Sequence, residues 1–167
     1  MRIYTKKGDF GETDLLSKRV PKDDLRIDFN GTIDMCLSYI SLSRQLIKDE
    51  KDIEILDAVY DHLSTISYEI VLDDGTGMIS LKDIDYVEVK IDKNESSLPK
   101  LAGFVKFDKS IGAAVLNILR VNIRNAERKM VELSRKVRIN PNSLKYLNRV
   151  SDLMFVLARK YNENIKG

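Results

Sequence analysis

Leu119-Arg120-Val121-Asn122-Ile123-Arg124-Asn125-Ala126-Glu127-Arg128 is the run whose reading decides this chain. Taken at helical period, Leu119, Ile123, Ala126, Met130 and Leu133 form one apolar stripe. Arg120, Arg124, Glu127 and Arg128 stand at i, i+4, i+7 and i+8, so they share a second face, turned roughly 100° from the first. The run predicts a long helix from about Ser110 to Arg138, with a core face and an arginine ridge beside it. Two readings of the ridge are open from these residues. It is a solvated face with Glu–Arg pairs at helical spacing, which stabilise little. Or it is a place where forked guanidiniums receive phosphate or carboxylate oxygens.

The same periodicity recurs on both sides. Ile33, Leu37, Ile40 and Ile47 predict a helix over about Phe29–Lys48, and Leu56, Val59, Leu63, Ile66 and Ile70 a second over Ile53–Leu72. Residues 84–92 alternate like a strand but also fit a helix. A lone strand among helices would have no partner, so a helix is expected there. Asn140-Pro141-Asn142-Ser143 stops one helix and starts the last, whose stripe is Leu147, Val150, Met154, Leu157 and Tyr161. Five amphipathic helices with mostly short connections predict an all-α bundle, up and down, as a single domain over 1–167. Residues 1–28 are the candidate ligand-binding loop and 29–167 the bundle.

Composition narrows the chemistry. The 167 residues carry a net charge of +2, without the basic excess of a dedicated nucleic-acid binder. Cys36 and His62 are the only residues of their kinds, so cysteine-based zinc sites and histidine-rich catalysis are not expected. His62 is given no role. No apolar run suggests a membrane span or a secretory signal, and a cytoplasmic protein is expected.

Residues 5–26 hold two glycines, two threonines and several lysines. That suits an ordered loop that wraps phosphates with backbone N–H groups and ammonium charge, and it equally suits a flexible tail. Asp34 is either a first-turn charge or the partner of an arginine on another helix. Phe104, on the connection Leu98–Phe104, could cap one end of the core. Asn148 and Asp152 could serve a ligand or face solvent.

Five stretches, in order and in register, resemble the PduO-type ATP:cob(I)alamin adenosyltransferases. They are Tyr4-Thr5-Lys6-x-Gly8-Asp9-x-Gly11, Arg19-Val20-Pro21-Lys22-Asp23-Asp24, Gly31-Thr32-Ile33-Asp34, Arg124-Asn125-Ala126-Glu127-Arg128 and Tyr146-Leu147-Asn148-Arg149-x-Ser151-Asp152. The resemblance implies a five-helix bundle assembled as a homotrimer, with active sites at subunit contacts. It implies ATP, a magnesium ion and a reduced corrinoid, cob(I)alamin, whose cobalt(I) attacks the 5′ carbon to give adenosylcobalamin and triphosphate. It implies that Thr5, Lys6, Lys7, Gly8 and Asp9, with Thr13 and Lys22, surround the phosphates. Arg124 and Arg128 would meet them from the other side. Glu127 would lie near the magnesium and Asn148 on the nucleotide. Asp34 and Arg120 would pair near the corrinoid, and Phe104 would pack on its lower face. A corrinoid reductase and an adenosylcobalamin-dependent enzyme are the implied further partners.

The departures are as definite. Where the family shows Pro-Gly-Gly, this chain has Phe107-Asp108-Lys109; Lys7 replaces a threonine and Asn125 an arginine. Met35-Cys36-Leu37 follows Asp34 where Glu-Leu-Asn is usual. The alternative reading is therefore an ATP-binding regulatory or sensor bundle without corrinoid chemistry. A third is a structural helical oligomer whose charged face only makes ion pairs.

Overall fold

The computed structural model describes residues 3–16, 18–72 and 76–163. A two-stranded hairpin, β1 (Glu12–Leu15) and β2 (Lys18–Pro21), precedes five helices. These are α1 (Leu25–Leu46), α2 (Glu50–Leu72), α3 (Leu81–Glu95), α4 (Ile111–Leu133) and α5 (Pro141–Glu163). Helix α4 packs against both α1 and α5; α2 lies against α1 and touches α5, and α3 lies against α5. The arginine helix thus buries one face between α1 and α5. Its stripe of Leu116, Leu119, Ile123, Ala126 and Met130 is fully buried and faces Phe29, Ile33, Ile40, Tyr146, Val150 and Leu157 in one continuous core. Burial of such a side chain is worth about 1.5–3 kcal/mol, so this seam dominates stability.

Local signals set the helix ends. Asp24 caps α1, its carboxylate accepting from the Arg26 N–H at 2.8 Å. Asp83 closes the first turn of α3 by accepting from the Ser80 N–H at 2.8 Å and the Ser80 hydroxyl at 2.7 Å. Ser110 caps α4 by accepting from the Ala113 N–H at 2.9 Å. Pro141 opens α5, where a missing N–H costs nothing.

The helix expected over 84–92 is present as α3. Two helix boundaries differ by four residues or more, and one expected loop holds strands. Helix α1 begins at Leu25 rather than Phe29, because Asp24 supplies a cap that the apolar pattern did not reveal. Helix α4 stops at Leu133 rather than Arg138: beyond it the stripe gives way to exposed Ser134, Arg135 and Lys136, and the chain turns. Residues 5–26, expected to be loop, contain the hairpin, so the fold is mostly rather than wholly α. Thr13 pairs with Val20 and Asp14 with Arg19, and Leu15 and Val20 turn inward. The turn-rich segment Asp73-Asp74-Gly75-Thr76-Gly77 lies partly outside the described residues.

Buried Glu69 joins the connections at the far ends of α2, α3 and α5. Its carboxylate accepts from the N–H groups of Met78 and Ile79, from Asn140 Nδ2 and from the Ser143 hydroxyl. Gly77 leaves room for the Asn140 side chain, which would lie 2.9 Å from an added Cβ. His62 on α2 likewise ties helices together. Its ring meets the Tyr146 hydroxyl at 2.8 Å and Asp83 at 3.3 Å.

Candidate functional site

The arginine ridge lies open along α4. Arg120, Arg124 and Arg128 line a shallow groove with Val121, Asn122 and Asn125. The solvated-face reading expects Glu–Arg pairs along the ridge; the ion pair that α4 does make, Lys129 with Asp28 of α1, lies off it. Among the described residues no carboxylate lies within salt-bridge distance of Arg124 or Arg128. Glu127 turns instead toward α5 and accepts from Asn148 Nδ2 at 3.0 Å. Arg120 donates to Asn117 Oδ1 at 2.9 Å and lies over the Phe155 ring, 5.8 Å from its centre. Burial, and then the charge of Arg124, lower the pKa of Arg120. Like charges four residues apart cost a helix a few tenths of a kcal/mol per pair. A ridge that carries this repulsion while the nearby Glu127 is turned to Asn148 is set up to receive an anion.

Asn148 extends the arrangement. Its Oδ1 accepts from Arg149 Nη1 at 3.0 Å, and Arg149 Nε reaches Glu88 on α3 at 2.6 Å. Glu127, Asn148, Arg149 and Glu88 thus form one line across three helices, which fixes the Asn148 amide beside the ridge. Arg149 and Glu88 were not singled out from the sequence.

The N-terminal segment makes a separate cationic surface. The φ angles of Lys6 (59°) and Gly11 (83°) are positive, so the backbone curls. The Gly11 N–H donates to Gly8 O at 3.3 Å and the Lys22 N–H to Gly11 O at 2.9 Å. The Lys22 ammonium sits by Gly8, 3.2 Å from where a Cβ would stand, so any larger residue would press on it. Arg19 organises the curl. It donates to Lys7 O at 2.7 Å and pairs with Asp14 at 2.9 Å and Glu12 at 3.3 Å. Its role became visible only with the hairpin, since β2 is what aims it back across β1. Thr5, Lys6, Lys7, Asp9 and Lys22 are exposed, and Thr13 is half-buried.

The structure brings some expected residues together and leaves others apart. Gly8 meets Lys22, Glu127 meets Asn148, and Arg120 is close enough to feel Arg124. Among the described contacts, no hydrogen bond or ion pair joins Thr5, Lys6, Lys7, Gly8, Asp9, Thr13 or Lys22 to α4. The Asp34–Arg120 pair is likewise not formed within the chain: Asp34 is exposed on α1, while Arg120 is engaged with Asn117 and Phe155. Phe104 does not cap the core, because it stands fully exposed on the loop between α3 and α4. The substituted segment that follows is anchored, Phe107 lying edge-on to Phe155 with 5.7 Å between ring centres.

The described residues hold no cluster of three carboxylate, histidine or cysteine side chains fit to cage a metal. The donor set offers Glu127 alone beside the ridge. This fits magnesium that arrives on phosphate oxygens, keeps most of its waters and takes one carboxylate from the protein. Cys36 is buried, and burial pushes its thiol up to about 12, which removes it from metal or redox chemistry at neutral pH.

Comparison with known proteins is consistent across sequence and structure. The family model described as cobalamin adenosyltransferase matches residues 3–161. A corrinoid adenosyltransferase of Bacillus subtilis is 34% identical over 171 residues, covering 97% of this chain and 87% of that protein. The corrinoid adenosyltransferase PduO of Salmonella typhimurium is 32% identical over 95% of this chain, which spans 49% of that longer protein. Among solved structures, a variant PduO-type ATP:corrinoid adenosyltransferase from Lactobacillus reuteri, complexed with cobalamin and ATP, superposes with a TM-score of 0.89. It is 27% identical and covers 97% of this chain and 91% of its own. A second variant of that enzyme, complexed with ATP, gives a TM-score of 0.87 at 27% identity, with 96% and 94% covered.

Proposed function

The chain belongs to the cobalamin adenosyltransferase family, and from that premise we propose that it transfers the 5′-deoxyadenosyl group of ATP to the cobalt(I) of a corrinoid. The observation that carries this reading is the ridge: Arg124 and Arg128 are exposed, have no carboxylate partner among the described residues and stand beside the half-buried Arg120.

The chemistry explains why so little else is needed. Cobalt(I) supplies an electron pair to C5′, the C5′–O5′ bond breaks, and triphosphate departs with that bond's electrons. The metal is formally oxidised by two electrons as the carbon–cobalt bond forms. No protein nucleophile or general base takes part. What the protein supplies is position and positive charge for a leaving group that becomes more anionic as it goes. Arg124 and Arg128 grip the triphosphate from one side; Lys6, Lys7 and Lys22, with the hydroxyls of Thr5 and Thr13 and the backbone around Gly8 and Asp9, hold it from the other. Glu127 takes the magnesium that travels with ATP, and Asn148, fixed by Arg149, orients the nucleoside. Phe104 lies against the lower face of the corrinoid.

No described contact joins the two cationic surfaces within one chain, and the reading adds a second protomer. We propose an up-down bundle that assembles as a homotrimer with one site per seam. The apolar residues Met35 and Leu42 on α1, and Ile118 and Val121 on α4, are exposed in the single chain and suit such a contact. Asp34 and Arg120 would then pair across the seam. All of 1–167 acts as one catalytic domain, with 1–28 as its nucleotide-binding segment. A cytoplasmic setting, supply by a corrinoid reductase and delivery to an adenosylcobalamin-dependent enzyme complete the reading. Cobalt(I) and ATP both call for a reducing, energy-rich compartment.

The test is anaerobic incubation with MgATP and chemically reduced cob(I)alamin, followed by its visible spectrum. Conversion to the alkylcobalt spectrum is expected, with stoichiometric triphosphate. ATP binding without product would mean a sensor, and neither binding nor product a structural oligomer.

A further inference from the structure

The connection over 96–110 has no regular secondary structure, and irregular stretches of this length in a compact domain are either functional or linkers. Its backbone hydrogen bonds are concentrated at its ends. Near the start, Pro99 O accepts from Arg159 Nη2 at 2.5 Å. Near the finish, Lys106 O accepts from Asn162 Nδ2 at 3.0 Å, and the Lys109 N–H donates to Asn162 Oδ1 at 3.2 Å. The Ser110 hydroxyl then donates to Tyr161 O at 3.1 Å, just where α4 begins. Between these anchors, Leu101 and Phe104 face outward, and Gly103 takes a φ of 155° that few side chains tolerate. Arg159 and Asn162 are 3% and 2% exposed. Side chains buried this deeply call for partners, and the strap supplies them to Arg159 Nη2 and to both ends of the Asn162 amide, while the buried Arg159 Nε has none among the described residues. Three residues apart on α5, they share one face and point at one strap.

We propose that Arg159 and Asn162 are positioning residues that clamp the two ends of the Phe104 strap, presenting the exposed ring to the corrinoid. The proposal rests on the corrinoid adenosyltransferase reading and deepens it. Asn162 has the larger part. Its amide closes the strap on the Phe104 side with both a donor and an acceptor, and it does so next to the cap of the arginine helix. A strap freed at that end lets the ring wander. The cost then falls on the step that needs the ring against the corrinoid, not on ATP.

The experiment compares N162A, F104A and N162A/F104A in the full-length protein, begun either from cob(II)alamin with supplied electrons or from preformed cob(I)alamin. N162A is expected to lower the cobalt(II)-initiated rate about 10-fold, as the loss of two hydrogen bonds to one side chain allows, and the cobalt(I)-initiated rate less than about 3-fold. The affinity for MgATP should not change. Added to F104A, N162A should do nothing further, since residues acting through one group are not additive. Trypsin should cut faster at Lys106 and Lys109 in N162A. R159M, which keeps the buried bulk, should show the same pattern more weakly and serves if N162A folds poorly. Equal loss from both starting states, or full additivity with F104A, would overturn the positioning role. Unchanged tryptic cleavage would overturn the clamp alone. A wild-type chain that makes no alkylcobalt product would instead overturn the functional reading beneath it.

Discussion

Arg124→Ala is expected to cut kcat/KM for MgATP by about 10²- to 10³-fold, the scale for removing one positioned donor from a developing anion. Stability should move by less than about 0.5 kcal/mol, because the side chain is exposed and has no ion-pair partner among the described residues. Any change should be toward greater stability, because the charge of Arg124 presses on the half-buried Arg120. Arg124→Lys keeps the charge but loses the forked geometry, so it should recover only part of the rate. Steady-state kinetics and thermal unfolding of the two variants check both halves. A rate within threefold of wild type would mean that the ridge does not hold the leaving group.

Phe104→Ala should divide the reaction by its starting state. The ring is fully exposed in the free protein. Covering a phenylalanine is worth about 1.5–3 kcal/mol, roughly 10- to 100-fold in an equilibrium constant. Placed against the lower face of a corrinoid, that apolar bulk excludes the lower axial ligand. Four-coordinate cobalt(II) accepts an electron more readily than the five-coordinate form, so the ring's effect falls on reduction. From cob(II)alamin, the variant should lose about 10- to 100-fold. From preformed cob(I)alamin, where that step is past, the loss should stay within about threefold, and ATP affinity should not change. Equal losses from both states would reduce Phe104 to a general contact.

The helical core was legible because its signal is local. The stripe from Leu119 to Leu133 reports burial through spacing alone, whereas at 84–92 spacing left strand and helix open and the want of a partner strand chose the helix that α3 shows. The hairpin was not legible. Strands of four residues, with only Leu15 and Val20 turned inward, leave a pattern too short to separate from loop. With the hairpin went Arg19, whose grip on Lys7 O depends on strand pairing. The ridge was visible as a face, but its lack of carboxylate partners was not. Spacing permits Glu127 to pair with an arginine on its own helix; packing against α5 gives it to Asn148. Arg159 and Asn162 were invisible for a related reason. Their partners are backbone groups some 53 to 60 residues away, and no periodicity records such a bond.

The central claim is that residues from opposite ends of the chain meet on one triphosphate across a seam. It is tested most directly by subunit mixing. Lys6→Ala/Lys22→Ala removes two of the loop's three phosphate-facing lysines and Arg124→Ala one of the ridge's two phosphate-gripping arginines; each protein alone should be nearly inactive. Co-expressed at equal amounts and purified together, they should regain about a quarter of wild-type turnover. In a randomly mixed ring, half the protomers offer an intact loop and half an intact ridge at each heterologous contact. Activity no greater than the sum of the two separate variants would contradict the claim, for it would mean that both surfaces serve one chain or that ATP lies elsewhere.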